Sequence, residues 1–155
     1  MALVRVLVDG YSLLHGWPEL AEGRPRYSAA ARDELIQMLG QYADASGTPV
    51  TIVFDGSRPR GGPQVSESHA GVEILFSRSG QTADQIIERV THRMKPFGEV
   101  LVITDDYAER DTVISLGGLA MSCDSFIRML ASTLGDLEAD LARYNSREKR
   151  RYRKS

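Results

Sequence analysis

Carboxylates stand where short aliphatic runs of this chain end: Asp9 in "LVDGY", Asp55 in "VFDGS", and Asp105 and Asp106 in "VITDDYAE". A further one, Asp84, follows the run at 72–76 across "SRSGQTADQ". Each has a local explanation. Asp55-Gly56 is a good turn pair, "TADQ" reads as a capping box between Thr82 and Gln85, and Asp105 or Asp106 suits the N-cap of a following helix. Together they pose an electrostatic problem, because like charges brought within several Å repel by roughly 1 kcal/mol per pair even in water, and by more in a cleft. A cation must balance them. Oxygen donors select a hard divalent ion, Mg²⁺ or Mn²⁺. Zinc is disfavoured, since the lone Cys123 and the scattered His15, His69 and His92 form no ligand cluster. A divalent ion on a carboxylate rim suits phosphoryl transfer, in which it activates a water and stabilises the charge of an in-line displacement at a phosphodiester.

The carboxylates share a rim only if the runs preceding them are parallel strands. Residues 3–8, 50–54, 72–76 and 99–103 have strand length and β-branched or aliphatic character. Between them the spacing predicts helices. Residues 28–46 place Leu35, Met38, Leu39 and Tyr42 on one face before Gly47, and 82–95 place Ile86, Ile87, Val90 and Met94 likewise before Pro96. A third helix is expected from Asp106 to the glycine pair at 117–118, and a last one from Asp124 into the C-terminal tail with Phe126, Leu130, Leu134, Leu137 and Leu141 on one stripe. Alternating strands and helices, with continuously apolar strands such as "VTIVF" and "VLVIT", predict a three-layer α/β domain with an open parallel sheet covered on both faces. In such a sheet every strand C-terminus lies on one edge, and ligands bind there near the point where strand order reverses.

With 155 residues the chain is long enough for one domain with a sizeable core, expected over 1–146. Residues 147–155, "REKRRYRKS", carry six basic residues and one acid, while the rest has thirteen basic against twenty acidic residues, a net of −7. The acidic body thus ends in a basic tail. It reads either as a phosphate-seeking arm, with Arg150, Arg151 and Arg153 as cations and Tyr152 to stack on a base, or as a solvated helix end. The stretch 56–70, "GSRPRGGPQVSESHA", is a long irregular loop, read as a mobile flap or as plain disorder. Its Arg58 and Arg60, with Arg78 nearby in the sequence order of the rim, would help to attract a polyanion. One cysteine precludes an intramolecular disulfide, and an N-terminal apolar run of about six residues is far short of a membrane span, so a cytoplasmic protein without membrane contact is expected.

Other chemistries lack their motifs. There is no G-x-S-x-G elbow, no phosphate-binding G-x-x-x-x-G-K-[ST] loop and no G-x-G-x-x-G after a strand. A phosphoacceptor domain would need an acidic pair after the first strand and a lysine after the fifth, but only Asp9 is present and no lysine lies between Lys95 and Lys149. A dehalogenase-like phosphatase would need D-x-D where this chain has Asp9-Gly10-Tyr11.

The segments "LVDGYSLLHGWPEL", "ARDELIQMLGQYA", "VTIVFDG", "GVEILFSRSGQTADQIIERV" and "VITDDYAERD" occur in an order that resembles the YacP-like NYN domain family of the PIN-like nuclease superfamily, over about residues 3–130. The resemblance implies an open PIN-like sheet and metal-dependent endoribonuclease activity, in mRNA turnover and for some members in connection with the ribosome. By position it implies Asp9, Asp84 and Asp106 as catalytic acids and metal ligands, with Asp55 and Asp105 as further candidate ligands. Asp106 rather than Asp105 occupies the place before the tyrosine. One departure is Ser12, where the family usually has asparagine. A serine hydroxyl can still donate to a phosphate, but it is shorter and lacks the two-ended bonding of an amide. A weakened, RNA-binding or ribosome-associated module is therefore the alternative reading, and the oligomeric state is open.

Overall fold

The computed structural model of the chain describes residues 3–21, 23, 25, 28–56, 66–69, 71–78 and 80–135. The basic tail, Leu137 and Leu141 of the expected apolar stripe, and Arg58 and Arg60 of the expected flap lie outside the described residues.

All four expected strands form: β1 (Leu3–Asp9), β2 (Val50–Phe54), β4 (Val72–Phe76) and β5 (Glu99–Ile103). Two more are added. Strand β3 (Ser66–His69) runs antiparallel to β4, so the end of the stretch expected to be irregular is paired, and β6 (Leu119–Met121) runs parallel to β5. The sheet order is β3-β4-β2-β1-β5-β6, with five parallel strands and β3 on one edge. Strand β1 is the centre, paired in parallel with β2 on one side and β5 on the other. Strand order therefore reverses across β1, at whose C-terminus Asp9 stands.

Alternation along β1 builds two cores. Val6 and Val8 face one layer with α1 (Gly10–Gly16), α2 (Ala29–Ser46) and α5 (123–135), whose Leu13, Leu35, Leu39 and Phe126 are buried there. Leu7 faces the other with α3 (Ala83–Met94) and α4 (Tyr107–Ser115), through Ile86, Ile87 and Val113. Of the expected stripes, Leu35, Leu39, Tyr42, Ile86, Ile87, Phe126 and Leu130 are buried, while Met38, Val90, Met94 and Leu134 pack at the margins. Helix α2 begins at a Ser28 cap and stops at Gly47, whose φ of 71° is left-handed and easy only for glycine.

The turn after β1 depends on one close approach. Gly10 opens α1 against the Phe54 ring at the end of β2, and a Cβ there would lie 2.5 Å from Phe54 Cε1. That ring is itself fixed, edge-on to Tyr11 at 5.2 Å and stacked on Phe76 at 5.6 Å. Glycine at position 10 is thus what lets α1 start directly after Asp9. Gly10→Ala is expected to destabilise the fold by about 1–3 kcal/mol in chemical denaturation, with much of the loss regained by adding Phe54→Leu. An unchanged midpoint for the single variant would show that the contact yields without cost.

Candidate active site

Three helix starts and one turn bring the carboxylates to the rim. Asp9 is the N-cap of α1 and accepts from Ser12 N–H at 3.3 Å. Asp84 lies in the first turn of α3, behind a complete capping box in which Thr82 and Gln85 satisfy each other's backbone N–H groups. Asp106 caps α4, accepting from Ala108 and Glu109 N–H at 2.9 and 3.3 Å. Asp55 sits in the turn after β2, held by Gly56 N–H at 3.0 Å and by the buried Ser77 hydroxyl at 2.9 Å. The helix N-termini and their N–H donors supply partial positive charge that offsets part of the mutual repulsion.

Asp9, Asp55, Asp84 and Asp106 line one cleft of about 390 Å³ with Tyr11, Ser12, Thr82 and Ala83. None of these lining residues is basic. Burial pushes the Asp9 carboxyl up to about 6, the charges of Asp84 and Asp55 push the same way, and the bonds from Ser12 and Thr104 oppose them. Asp84 is raised as well, first by burial and then by Asp106, Glu88 and Asp55. The cleft thus holds carboxylates that are costly to ionise together. Its donor set is hard oxygen, which fits Mg²⁺ or Mn²⁺ and not zinc. Among the described residues no three His, Cys, Asp or Glu side chains are arranged to hold an ion by themselves. Any such ion would complete its shell with water, as Mg²⁺ commonly does.

Asp105 takes a different path. Its carboxylate accepts from Cys123 N–H at 2.8 Å, at the start of α5, and lies 3.9 Å from the Arg110 guanidinium. It does not line the cleft. Ser12 does, and it ties two elements together, its Oγ accepting from Asp105 N–H at 3.1 Å and from the Cys123 thiol at 3.6 Å. Burial pushes that thiol up to about 12, so it stays protonated and donating. Arg78 is exposed, following Ser77 on the same edge.

Three groups escape the sequence pattern. Thr104, fully buried, donates to Asp9 Oδ2 at 3.5 Å and accepts from Asp106 N–H at 3.2 Å, linking two rim aspartates through one hydroxyl. Its signal was a hydroxyl just before the aspartate pair. Ser77 holds Asp55 in a similar way. Glu109 is only 3% exposed, and its Oε1 has no hydrogen-bond partner. Burial, then a carboxyl–carboxyl bond with Glu88, then the charges of Asp84, Glu88 and Asp106 raise it to about 8. At 109 the sequence shows only a polar helical position, because its burial comes from the packing of α4 against α3.

PIN-like nuclease domains share this architecture, an α/β sheet whose strand order reverses beneath a rim of aspartates. The chain belongs to the YacP-like NYN domain family, which it matches over residues 6–155. It is 32% identical over 124 residues to the uncharacterized protein YacP of Bacillus subtilis, covering 79% of this chain and 72% of that protein. It is also similar to two crystal structures of Rae1 (YacP) from Bacillus subtilis. The W164L mutant gives a TM-score of 0.78 at 27% identity, over 93% of this chain and 85% of that one. The other gives 0.73 at 27%, over 96% and 84%.

The Glu109 environment has a thermodynamic signature. The folded metal-free protein keeps a proton that the unfolded chain releases near 4.5, so the contribution is fully present below that pH and is lost as pH rises towards about 8. Asp9 acts with the same sign up to about 6. Glu109→Gln, whose amide donates to Glu88 without titrating, is expected to flatten the fall in melting temperature between pH 5 and pH 8.5. Parallel profiles for the two proteins would mean that Glu109 is not held protonated.

Proposed function

We propose that this protein is a divalent-metal-dependent endoribonuclease that cuts RNA phosphodiesters. The observation that carries the reading is the convergence of Asp9, Asp84 and Asp106, with Asp55 beside them, in one cleft at the reversal of strand order. Membership of a nuclease family supports it. In this reading Asp9, Asp84 and Asp106 would hold Mg²⁺ or Mn²⁺, and the chemistry such an ion would supply is activation of a water and stabilisation of charge at the phosphate. Asp55 stands as an outer carboxylate, fixed by Ser77 and Gly56.

The chain's own groups do the positioning. Thr104 sets the spacing of Asp9 and the Asp106 backbone through two bonds from one buried hydroxyl. Ser12 accepts twice at Oγ, which leaves its own proton for a third partner in the cleft, a phosphate oxygen in this reading. The family resemblance puts mRNA in view as the RNA class, with the ribosome as the setting it implies for some members. Arg78 and the arginines at 58, 60, 150, 151 and 153 would attract the polyanion to an otherwise acidic body. No helix among the described residues is long and apolar enough to cross a membrane.

The test is incubation of single-stranded RNA with wild type, Asp84→Asn and Asp9→Asn in Mg²⁺, Mn²⁺ or EDTA. Metal-dependent cleavage is expected from wild type, with a loss of about 100-fold or more in each variant. Asp9→Asn should keep its melting temperature, since an asparagine caps α1 equally well and removes a carboxylate that burial disfavours. Undiminished cleavage by Asp84→Asn would sink the assignment. Tight RNA binding without cleavage under any condition would favour the binding module, with Ser12→Asn as the reverting change.

A further inference from the structure

We propose that Tyr107, backed by Arg110, is a stacking platform for an unpaired nucleobase next to the phosphate that enters the cleft. The proposal rests on the nuclease reading and names the part of the RNA that the site would grip. Tyr107 follows Asp106 directly, so its Cα is about 3.8 Å from that of a cleft-lining residue. It opens α4 and is 76% exposed, the most exposed large hydrophobic side chain among the described residues. Isolated exposed aromatics are common and need no explanation. This one is distinguished by its mounting.

The Arg110 guanidinium lies 4.4 Å from the centre of the Tyr107 ring. It is not a loose cation. Its Nε donates to the Thr104 carbonyl at 3.0 Å, its Nη2 donates to the Asp105 carbonyl at 3.3 Å, and the Asp105 carboxylate is 3.9 Å away. The platform is therefore fastened to the loop 104–106, the same loop that supplies Asp106 to the cleft and the Thr104 hydroxyl to Asp9. One ring face is taken by the guanidinium, and the exposure leaves the other for a ligand. Tyr107 does not itself line the cleft, but a flat π-surface fixed to the loop that carries Asp106 into it matches an RNA base splayed from a single strand. Bases inside an A-form duplex are already stacked on each other and could not reach it.

Affinity is measured in the Asp84→Asn background, which is to keep the RNA whole, with oligoribonucleotides carrying 2-aminopurine or an abasic residue at successive positions. At one position the 2-aminopurine should be quenched on binding. Adding Tyr107→Ala should remove that quenching and weaken binding by about tenfold. Tyr107→Phe and Tyr107→Trp should retain both effects, and an abasic residue at that position should erase the difference between the proteins with and without the ring. Equal affinity and quenching with and without the ring would overturn the platform while leaving the cleft assignment standing. So would an equal loss on normal and abasic RNA, which marks a structural role. Failure to bind any RNA both by the Asp84→Asn protein that retains Tyr107 and by wild type under EDTA would overturn both the platform and the nuclease reading on which it rests.

Discussion

The parallel pairing of β1 with β2 on one side and β5 on the other is the constraint from which the rest of the structure follows. It sends the connections after these strands up the same edge of the sheet. The apolar alternation of β1, with Val6 and Val8 on one face and Leu7 on the other, requires helices on both faces, and those helices start at that edge. Helix N-termini therefore collect where strand order reverses. Their N–H groups bond Asp9 and Asp106 and so hold carboxylates in a place that Coulomb repulsion alone would empty. Burial first, and then the repulsion that this compensation leaves, makes Asp9, Asp84 and Glu109 all harder to ionise than carboxylates in water. That residual electrostatic cost is what a bound cation would relieve.

Capping and site formation are two aspects of one arrangement. A cap uses one oxygen or part of one carboxylate, leaving lone pairs that face the cleft. Asp105 and Asp106 illustrate how finely this is set. They are adjacent, yet Asp106 caps α4 and lines the cleft, whereas Asp105 turns to the start of α5 and to Arg110. Thr104 precedes both and bonds Asp9 from the neighbouring strand end, so the loop 104–106 ties the two sides of the reversal together. Ser12 completes the tie through the Asp105 N–H and the Cys123 thiol.

Much of this was legible in the sequence because it depends on local pattern. Continuous apolar runs marked β1, β2, β4 and β5, and Ser28, Gly47 and the Thr82–Gln85 box marked helix ends with defined backbone chemistry. Asp9, Asp84 and Asp106 follow those elements at fixed offsets, so parallel strands were enough to place them together. What escaped depends on tertiary contact. Strand β3 reads "SESH", a polar edge segment with no apolar alternation, and β6 has only three residues. Helix α1 is a seven-residue segment whose start is set by Asp9 and by Gly10 against Phe54. Glu109 looks like a solvated helical position until α3 covers it, and the seating of Arg110 on Tyr107 relies on carbonyls of a loop whose course no spacing rule describes.

The proposed nuclease requires the rim carboxylates to form one cation-binding centre at the strand reversal. Anomalous diffraction at the manganese edge, from crystals of the protein soaked in Mn²⁺, tests it without relying on turnover. Manganese density is expected inside the cleft bounded by Asp9, Asp84 and Asp106, and is expected to be lost in crystals of the Asp84→Asn variant. Manganese found only at Asp105 or on the outer surface, with none in the cleft, would contradict it.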